Sequence, residues 1–232
     1  MVMKKKVTVL TGAGVSAESG INTFRDAGGL WEGHDVMEVA SPQGFYRNPG
    51  LVLEFYNQRR RQLHQVRPNK AHLALAELER EYDVTIITQN VDDLHERAGS
   101  TKVVHLHGEL LKVRSTGDDS IVLEWKNDLK LGDLCEKGHQ LRPHIVWFGE
   151  EVPMLEKAVQ ITSTSDILII IGTSMQVYPA AGLVNYAPSG TPIYFIDPRP
   201  SVSGNDFNDL TILPQKAAEG VPELVRKLLN GQ

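Results

Sequence analysis

The chain has 232 residues, 41% of them hydrophobic, one cysteine and a formal net charge of -5. That length suits one core domain with a small insertion, and the acidic balance argues against a nucleic-acid binder, which would carry a basic footprint. No apolar stretch reaches membrane-spanning length, and the run after Lys4, Lys5 and Lys6 is interrupted by Gly12 and Gly14, so it does not read as a signal peptide and a cytoplasmic protein is expected.

In chain order, a β-branched strand at 6–11 runs into a glycine-rich turn. Gly12, Gly14 and Ala17 have the G-x-G-x-x-A spacing of a pyrophosphate-binding turn. A tight turn, a close backbone approach and a small residue for helix–strand packing are expected there, with the N-terminus of a following helix facing the anion. An ordinary dehydrogenase would carry a ribose-binding acid about 20 residues on; the region around Trp31 has no such strand. Residues 51–63 read as a helix. Within it Tyr56 and Arg59 lie three apart on one face, while Arg59, Arg60 and Arg61 by spacing alone suit a solvated face.

The next strand, 84–88, ends in Gln89, Asn90 and Asp92, polar side chains at the edge where open α/β sheets bind ligands. Asn90 or Asp92 also suits the cap of a helix beginning near Leu94. A strand at 102–105 follows, and His105 and His107 share a face if it continues, so position alone does not choose between them. Residues 109–148 are polar and turn-rich, with 115–120 reading as an exposed loop. Strands at 167–171 and 192–197 complete an α/β pattern, a parallel sheet with helices on both faces, and a last helix around 221–229 places Pro222 at an early position.

Six blocks in order resemble the sirtuin family of NAD-dependent protein deacylases, in particular its desuccinylase-like bacterial and mitochondrial branch: GAGVSAESGI at 12–21, TFRDAGGLW at 23–31, TQNVDDLHERAGS at 88–100, HLHGEL at 105–110, HIVWFGE at 144–150 and GTSMQVYPAAGL at 172–183. The resemblance implies a single catalytic domain over 1–232. Its Rossmann-like core would comprise about 1–31, 71–108 and 149–232, with a helical insertion at about 32–70 and a small inserted subdomain at about 109–148.

By the same resemblance NAD is the cofactor and acylated-lysine proteins or peptides are the substrates, with no nucleic-acid or membrane partner and a monomeric chain. His107 becomes the general base, suited by an unperturbed pKa near neutrality, and Asn90 holds the reaction-site water. Gly12, Ala13, Gly14, Ser16, Ala17, Trp31, Gln89, Asp92, Gly172, Thr173 and Ser174 are implied to contact the cofactor, with Phe24 and Arg25 in a lid that keeps bulk water away. Asp197 is a candidate for an adenosine hydroxyl and Ala217, in a loop before the last helix, for the adenine. Val146, Trp147, Phe148, Gly149 and Val177 are implied to flank an extended peptide bound by strand addition. Tyr56 and Arg59 match the pair that marks the desuccinylase-like branch, where a guanidinium grips a carboxylate, so succinyl, malonyl or glutaryl removal is expected, with acetyl possible as well. The alternatives are a mono-ADP-ribosyltransferase and a non-catalytic NAD or ADP-ribose sensor.

Sirtuins usually hold a structural zinc in the small insertion with two cysteine pairs. Here Cys135 and His139 could supply two ligands, but Ser115 and Thr116 stand where the first pair would begin, and Asp118 and Asp119 match poorly as replacements for thiolates. No metal is therefore expected. Cys135 should be a lone buried or semi-exposed thiol, with the insertion held by packing of Ile121, Leu123, Trp125 and Leu134.

Overall fold

The computed structural model describes residues 3–22, 30, 31, 33–203, 207 and 209–231. Strand β1 (Lys6–Thr11) leads to two short 3₁₀ helices, Ala13–Val15 and Ala17–Ser19. After a two-stranded hairpin, β2 (Leu30–Trp31) and β3 (His34–Asp35), come α1 (Val36–Val39), α2 (Pro42–Arg47), α3 (Pro49–Gln65) and α4 (Lys70–Leu78). Strand β4 (Asp83–Thr88), α5 (Leu94–Ala98) and β5 (Val103–His105) precede β6 (Gly108–Ser115), β7 (Val122–Glu124) and β8 (Leu141–Ile145). The chain closes with α6 (Leu155–Thr162), β9 (Ile167–Ile171), a 3₁₀ helix at Ala180–Tyr186, β10 (Ile193–Ile196), β11 (Leu210–Leu213) and α7 (Ala217–Leu229). No helix among the described residues is long and apolar enough to cross a membrane.

Six strands form a parallel sheet in the order β11-β10-β9-β1-β4-β5. Its central strands are buried on both faces, so β9 reads as an unbroken apolar run, ILIII, rather than an alternation. Alternate side chains divide between two cores. Val7, Val9, Ile86, Ile169 and Ile171 pack with Leu75 and Leu78 of α4 and with Val221, Leu224 and Val225 of α7. Leu10, Ile87, Leu168, Ile170 and Phe195 pack with Ala158 of α6 and with Leu183 and Val184.

Several local expectations are corrected. The glycine turn continues as two single 3₁₀ turns rather than the expected helix. Ala17 is exposed, and buried Val15 is the residue that packs this segment on the sheet core. The last helix starts at Ala217, which puts Pro222 inside it. The start is fixed from outside, because the Ala218 amide donates to the Glu18 carboxylate at 2.7 Å, and the proline forfeits one intrahelical bond near the N-terminus. Strand β11 was not anticipated; it is a short, half-buried edge strand with a weak apolar pattern.

The polar segment after β5 is an antiparallel sheet, β7-β6-β8. Of its four expected packing residues, Leu123 and Leu134 are exposed, whereas Ile121 and Trp125 are partly buried. The cluster is instead built from Leu53 of α3 with Val113, Leu129, Cys135 and Leu141. Residues 116–120 are mostly exposed, but Ser115 is buried at the end of β6.

Arg60 does not belong to a solvated face: at 1% exposure it is buried between α3 and this sheet. Its Nε donates to the Leu110 carbonyl at 3.1 Å and Nη1 to Asn57 Oδ1 at 2.8 Å, and burial pushes its pKa down to about 10. Asn57 in turn exchanges two bonds with the Leu129 backbone.

The turns after β1 and β9 touch backbone to backbone. A Cβ on Gly14 would lie 2.6 Å from Gly172 Cα, and Gly172 has a φ of +60°. Replacing Gly14 by Ala must push the two turns apart, so Gly14→Ala is expected to lose about 1–3 kcal/mol of stability, as overpacking does. A lowered urea midpoint with an unchanged m value checks this; an unchanged midpoint refutes it.

Candidate active site

The sheet order reverses between β1 and β9, one chain excursion running outward to β4 and β5 and the other to β10 and β11. Open α/β sheets bind ligands in the crevice outside the carboxyl ends of the strands at such a point. Here the edge is closed by backbone bonds: Gly12 N–H donates to the Ile171 carbonyl at 3.0 Å and Gly14 N–H to the Gly172 carbonyl at 2.9 Å. Both amides are therefore engaged within the protein. Gly14 serves the approach of one strand turn to the other, a role the spacing alone did not suggest.

Beneath this edge lies a buried polar network. His72 on α4 accepts the Asn69 amide at Nδ1 (3.2 Å), which leaves its Nε2–H directed at Ser16 Oγ, 3.4 Å away. Ser16 also receives Asn90 Nδ2–H at 3.2 Å and donates to Asp92 Oδ2 at 3.0 Å. The other Asp92 oxygen accepts Leu94 N–H at 3.1 Å, so Asp92 holds the start of α5 as well. Burial pushes Asp92 up, while the Leu94 and Ser16 bonds partly offset it. Burial takes His72 down to about 4. His95, 4.8 Å from the His72 ring and bonded at Nε2 to Thr11 Oγ1, is lowered well below its ordinary value, by burial first and then by the neighbouring histidines. Both rings are neutral near pH 7, which suits hydrogen-bonding partners in a site with no room for two buried charges.

Sequence reasoning missed His72 and His95. The available signal was Asn69, an N-cap residue three before His72, which forms a capping box with a histidine in place of the usual Glu or Gln.

The two histidines left open by position are now distinct. His105 Nδ1 is 3.1 Å from the Asn90 carbonyl and Nε2 is 2.7 Å from Glu96 Oε1, so both nitrogens face acceptors. His107 makes one such bond, Nδ1 to the Gln89 carbonyl at 3.0 Å, which fixes the tautomer and leaves Nε2 as the basic nitrogen. Burial lowers the His107 pKa, the Gln89 bond opposing it, and keeps the ring neutral. Gly108 follows with φ +83°, and a Cβ there would collide with the His144 carbonyl. Gln89 Nε2 donates to Thr173 Oγ1 at 3.1 Å. The structure thus brings together Ser16, Gln89, Asn90, Asp92, His107, Gly172 and Thr173.

A second cluster joins the first through Val146, whose amide donates to the His107 carbonyl at 2.9 Å. The next residue, Trp147, is held on three sides. Its amide donates to Glu150 Oε2 (2.8 Å), its ring lies 3.3 Å from the Arg142 guanidinium, and its Nε1–H donates to Tyr56 Oη (2.9 Å). Tyr56 is fully buried, and burial raises its hydroxyl pKa, the Trp147 bond and the Arg142 and Arg59 charges opposing. Arg59 is half-buried, its guanidinium 3.5 Å from the Phe55 ring centroid and 5.6 Å from Trp31, with Nη1 donating to the Phe55 carbonyl at 2.6 Å. Trp31 stands edge-on to Phe55 and Tyr56 at 4.9 and 6.3 Å, on this side of the site.

The remaining expected residues are more scattered. Phe24 and Arg25 lie outside the described residues. Ala13 is half-buried in the first 3₁₀ turn. Asp197 is buried at the end of β10, accepting the Arg199 amide at 2.8 Å. Ala217 is the first residue of α7 rather than part of a loop, and is buried in the sheet core. Ser174 and Val177 are half-buried, and Phe148 and exposed Gly149 sit beyond Trp147, Phe148 N–H donating to the Ala40 carbonyl at 2.9 Å.

The small sheet does not fit a structural zinc. Cys135 Sγ donates to Ser115 Oγ at 3.3 Å, a hydroxyl that also receives the Gly117 and Asp118 amides at 3.2 Å. The Asp118 carboxylate is taken by Lys137 at 2.6 Å and by Ser120. A single thiol with a hydroxyl opposite is not a tetrahedral thiolate set, and the described residues contain no cluster of three or more metal-ligating side chains.

Glu150 is the anion of the second cluster, receiving Arg142 at 2.6 Å and Arg114 at 3.0 Å. Burial alone would raise its pKa, but the Arg142 bond, the Trp147 amide and the Arg charges hold it below the usual carboxylate range. A depressed folded pKa contributes stability above the unfolded value, about 4.3, that is lost as pH falls through the folded one. Glu150→Gln is expected to cost about 1–3 kcal/mol at neutral pH, less than a fully buried pair because the site is partly solvated. Urea midpoints at neutral and acid pH check this: the deficit should shrink below the unfolded pKa, and a deficit independent of pH would refute it.

Comparison with known proteins fits this geometry. Residues 12–179 match the model of the Sir2 family. A Helicobacter pylori (strain J99) protein named NAD-dependent protein deacylase is 59% identical over 226 residues, covering 97% of this chain and 96% of the relative. A solved Sir2 homologue in complex with NAD superposes with a TM-score of 0.87 at 43% identity, covering 98% of this chain and 91% of that one. A Sir2 protein bound to acetylated peptide gives 0.79 at 28% identity, covering 98% and 93%. With the switch-point edge, the buried Ser16–Asp92 network and the His107–Gly108 turn in place, the chain belongs to the Sir2 family.

Proposed function

We propose that this NAD-dependent protein deacylase acts preferentially on lysines bearing acidic acyl groups, succinyl, malonyl or glutaryl, with acetyl accepted less well. The observation that carries the preference is the arrangement around Tyr56. Its oxygen accepts the Trp147 indole N–H, so its own proton is available to a ligand, and the Arg59 guanidinium lies one helical turn along in an aromatic surround. A cation beside a buried hydroxyl donor matches a carboxylate at the end of an acyl chain.

NAD would be held by the Gly12–Ser16 turn, Gln89, Asn90, Asp92, Gly172 and Thr173, and would supply an electrophilic C1′ with nicotinamide as leaving group and a neighbouring 2′-hydroxyl. This chain's residues do the rest. Asp92, fixed by Ser16 and Leu94, presents its carboxylate region to the nicotinamide amide. Asn90, anchored by Ser16, orients a water. His107 Nε2, neutral and backed by the Gln89 carbonyl, takes the proton of the 2′-hydroxyl as it attacks the acyl carbon. The acyl oxygen would bond to C1′ as nicotinamide leaves, the 2′-hydroxyl would then bond to the acyl carbon, and the water held by Asn90 would add as the lysine nitrogen leaves, giving nicotinamide, acyl-ADP-ribose and free lysine. The substrate peptide lies between 146–149 and the segment at Val177, where main-chain pairing tolerates varied sequences; a Sir2 relative bound to acetylated peptide supports the substrate class.

Mass-spectrometric turnover of matched acetyl-lysine and succinyl-lysine peptides tests the reading. The intact protein should release succinyl faster, and Arg59→Met should lower succinyl kcat/KM by about 10–100-fold, the worth of a charged hydrogen-bond pair, with acetyl turnover changing far less. Removal of acetyl alone would overturn the acidic preference. His107→Ala should fold and bind NAD yet lose turnover; retained turnover would remove His107 from the mechanism. ADP-ribose left on protein with no acyl-ADP-ribose would indicate a transferase, and NAD binding without either product a sensor.

A further inference from the structure

We propose that His105 and Glu96 form a charged positioning pair that holds the 89–90 turn and the His107 turn in register, and that the hold is released when His105 loses its proton. The inference rests on the proposed roles of Asn90 and His107 but not on which acyl group is removed.

The need for such a hold follows from topology. Strand β5 is three residues long, stands at the sheet edge and, among the described residues, pairs only with β4. The chain leaves it at once for the His107–Gly108 turn. Along the main chain this exit is tied to β4 by Leu106 N–H to the Thr88 carbonyl at 2.9 Å. Side chains add the other ties: His105 Nδ1 to the Asn90 carbonyl and His107 Nδ1 to the Gln89 carbonyl, two consecutive carbonyls bound by two alternate histidines. His105 alone reaches further, to Glu96 on α5, the helix whose start Asp92 holds. One ring thus joins β5, the catalytic turn and α5.

The chemistry of that ring is constrained by its partners. A carbonyl oxygen and a carboxylate both accept, so both nitrogens must carry protons for both bonds to exist, which makes His105 an imidazolium. A neutral ring would turn a lone pair toward one of them. The charged groups facing it are Glu96 and the neutral His95 ring from α5, Asp92 from the loop after β4, and Glu109 from β6, with Lys112 of β6 acting on Glu96. Burial disfavours the cation, but the Glu96 bond and charge, the Asn90 carbonyl and Glu109 outweigh it, so the ring titrates above its ordinary value. A raised folded pKa means the hold is present at lower pH and lost as pH rises through it. His107 must be neutral to act, so it sets the acid limb of activity, and His105 sets the alkaline limb.

The test uses the 232-residue chain with saturating NAD and whichever acyl-lysine peptide reacts fastest, with kcat measured against pH. Glu96→Gln keeps the shape of the partner and removes its charge, so the alkaline limb should move down by about one pH unit, the scale of a single close charge. His105→Gln should abolish that limb and lower kcat at neutral pH by about tenfold, with a smaller change in the KM for NAD, as expected of a lost charge-assisted bond that positions rather than binds. A limb unmoved by Glu96→Gln, or retained in His105→Gln, overturns the proposal. Ring ¹⁵N shifts of the intact protein give a readout independent of turnover: His105 should keep both ring protons to a higher pH than His107 does. The reverse order also overturns it, whereas inactivity of every acyl peptide would strike the deacylase reading and leave the ¹⁵N result standing.

Discussion

The carboxyl edge of the sheet depends on how closely the turns after β1 and β9 approach. With Gly14 Cα against Gly172, and the Gly12 and Gly14 amides donating to the Ile171 and Gly172 carbonyls, the two strands leave no space between their ends for a side chain. Amides spent on that closure are not available to a ligand, so the polar chemistry of the crevice falls to side chains. Most arrive from the loop after β4 and the turn after β5, with Ser16 from the turn after β1, while the turn after β9 contributes Thr173 as the opposite wall through its bond to Gln89. Backbone proximity therefore decides both where the crevice lies and which strand furnishes its functional groups.

Burying those side chains has a cost that the network offsets. Ser16, Asn90 and Asp92 are all nearly inaccessible, and each is bonded to another member. A chain of bonds running from the Asn69 amide through His72 and Ser16 polarises in one sense and ends at Asp92, which also accepts the Leu94 amide from the other side. Removing one member would leave others unsatisfied in a low-dielectric setting, which is worse than replacing all with apolar groups. Rigidity at Asp92 and Asn90 is a consequence of this satisfaction, and a site meant to hold a dinucleotide in one orientation gains from it.

The sequence carried the sheet well and the site unevenly, for physical reasons. Strands β1, β4, β9 and β10 announce themselves because a parallel strand covered on both faces must be apolar throughout, and their ends mark the crevice. The edge strand β11, half exposed, needs no such pattern and was invisible. Gly14 was read for its approach to a phosphate, yet its contact is with Gly172, 158 residues later in number, and no local spacing encodes that partner. Arg60 shows the same limit: three consecutive arginines look like a wet helix face, while the rotation of α3 sends Arg60 into the small sheet, Arg61 to Glu54 and Asp128 at the surface, and Arg59 to Phe55. His95 was overlooked because a neutral buried histidine has no distinguishing neighbour in sequence, and His72 because its neighbour Asn69 marks a helix start rather than a buried ring.

The small sheet is organised without the thiolate cage that usually closes this part of the fold, and its contacts show how. Where one cysteine pair would be, Ser115 collects two loop amides and the Cys135 thiol on a single oxygen, and Asp118 meets Lys137 across the same gap. These bonds are individually weak, the ion pair especially so because it is exposed. What they fix is the geometry of two loops, while the affinity between layers comes from Val113, Leu129 and Leu141 against Leu53 of α3 and from buried Arg60 and Asn57. Anchoring to α3 has a functional corollary. The helix that carries Tyr56 and Arg59 is the same one that seats the small sheet, and β8 of that sheet leads directly into Val146 and Trp147. The residues proposed to face the acyl group and the peptide are therefore referenced to one helix.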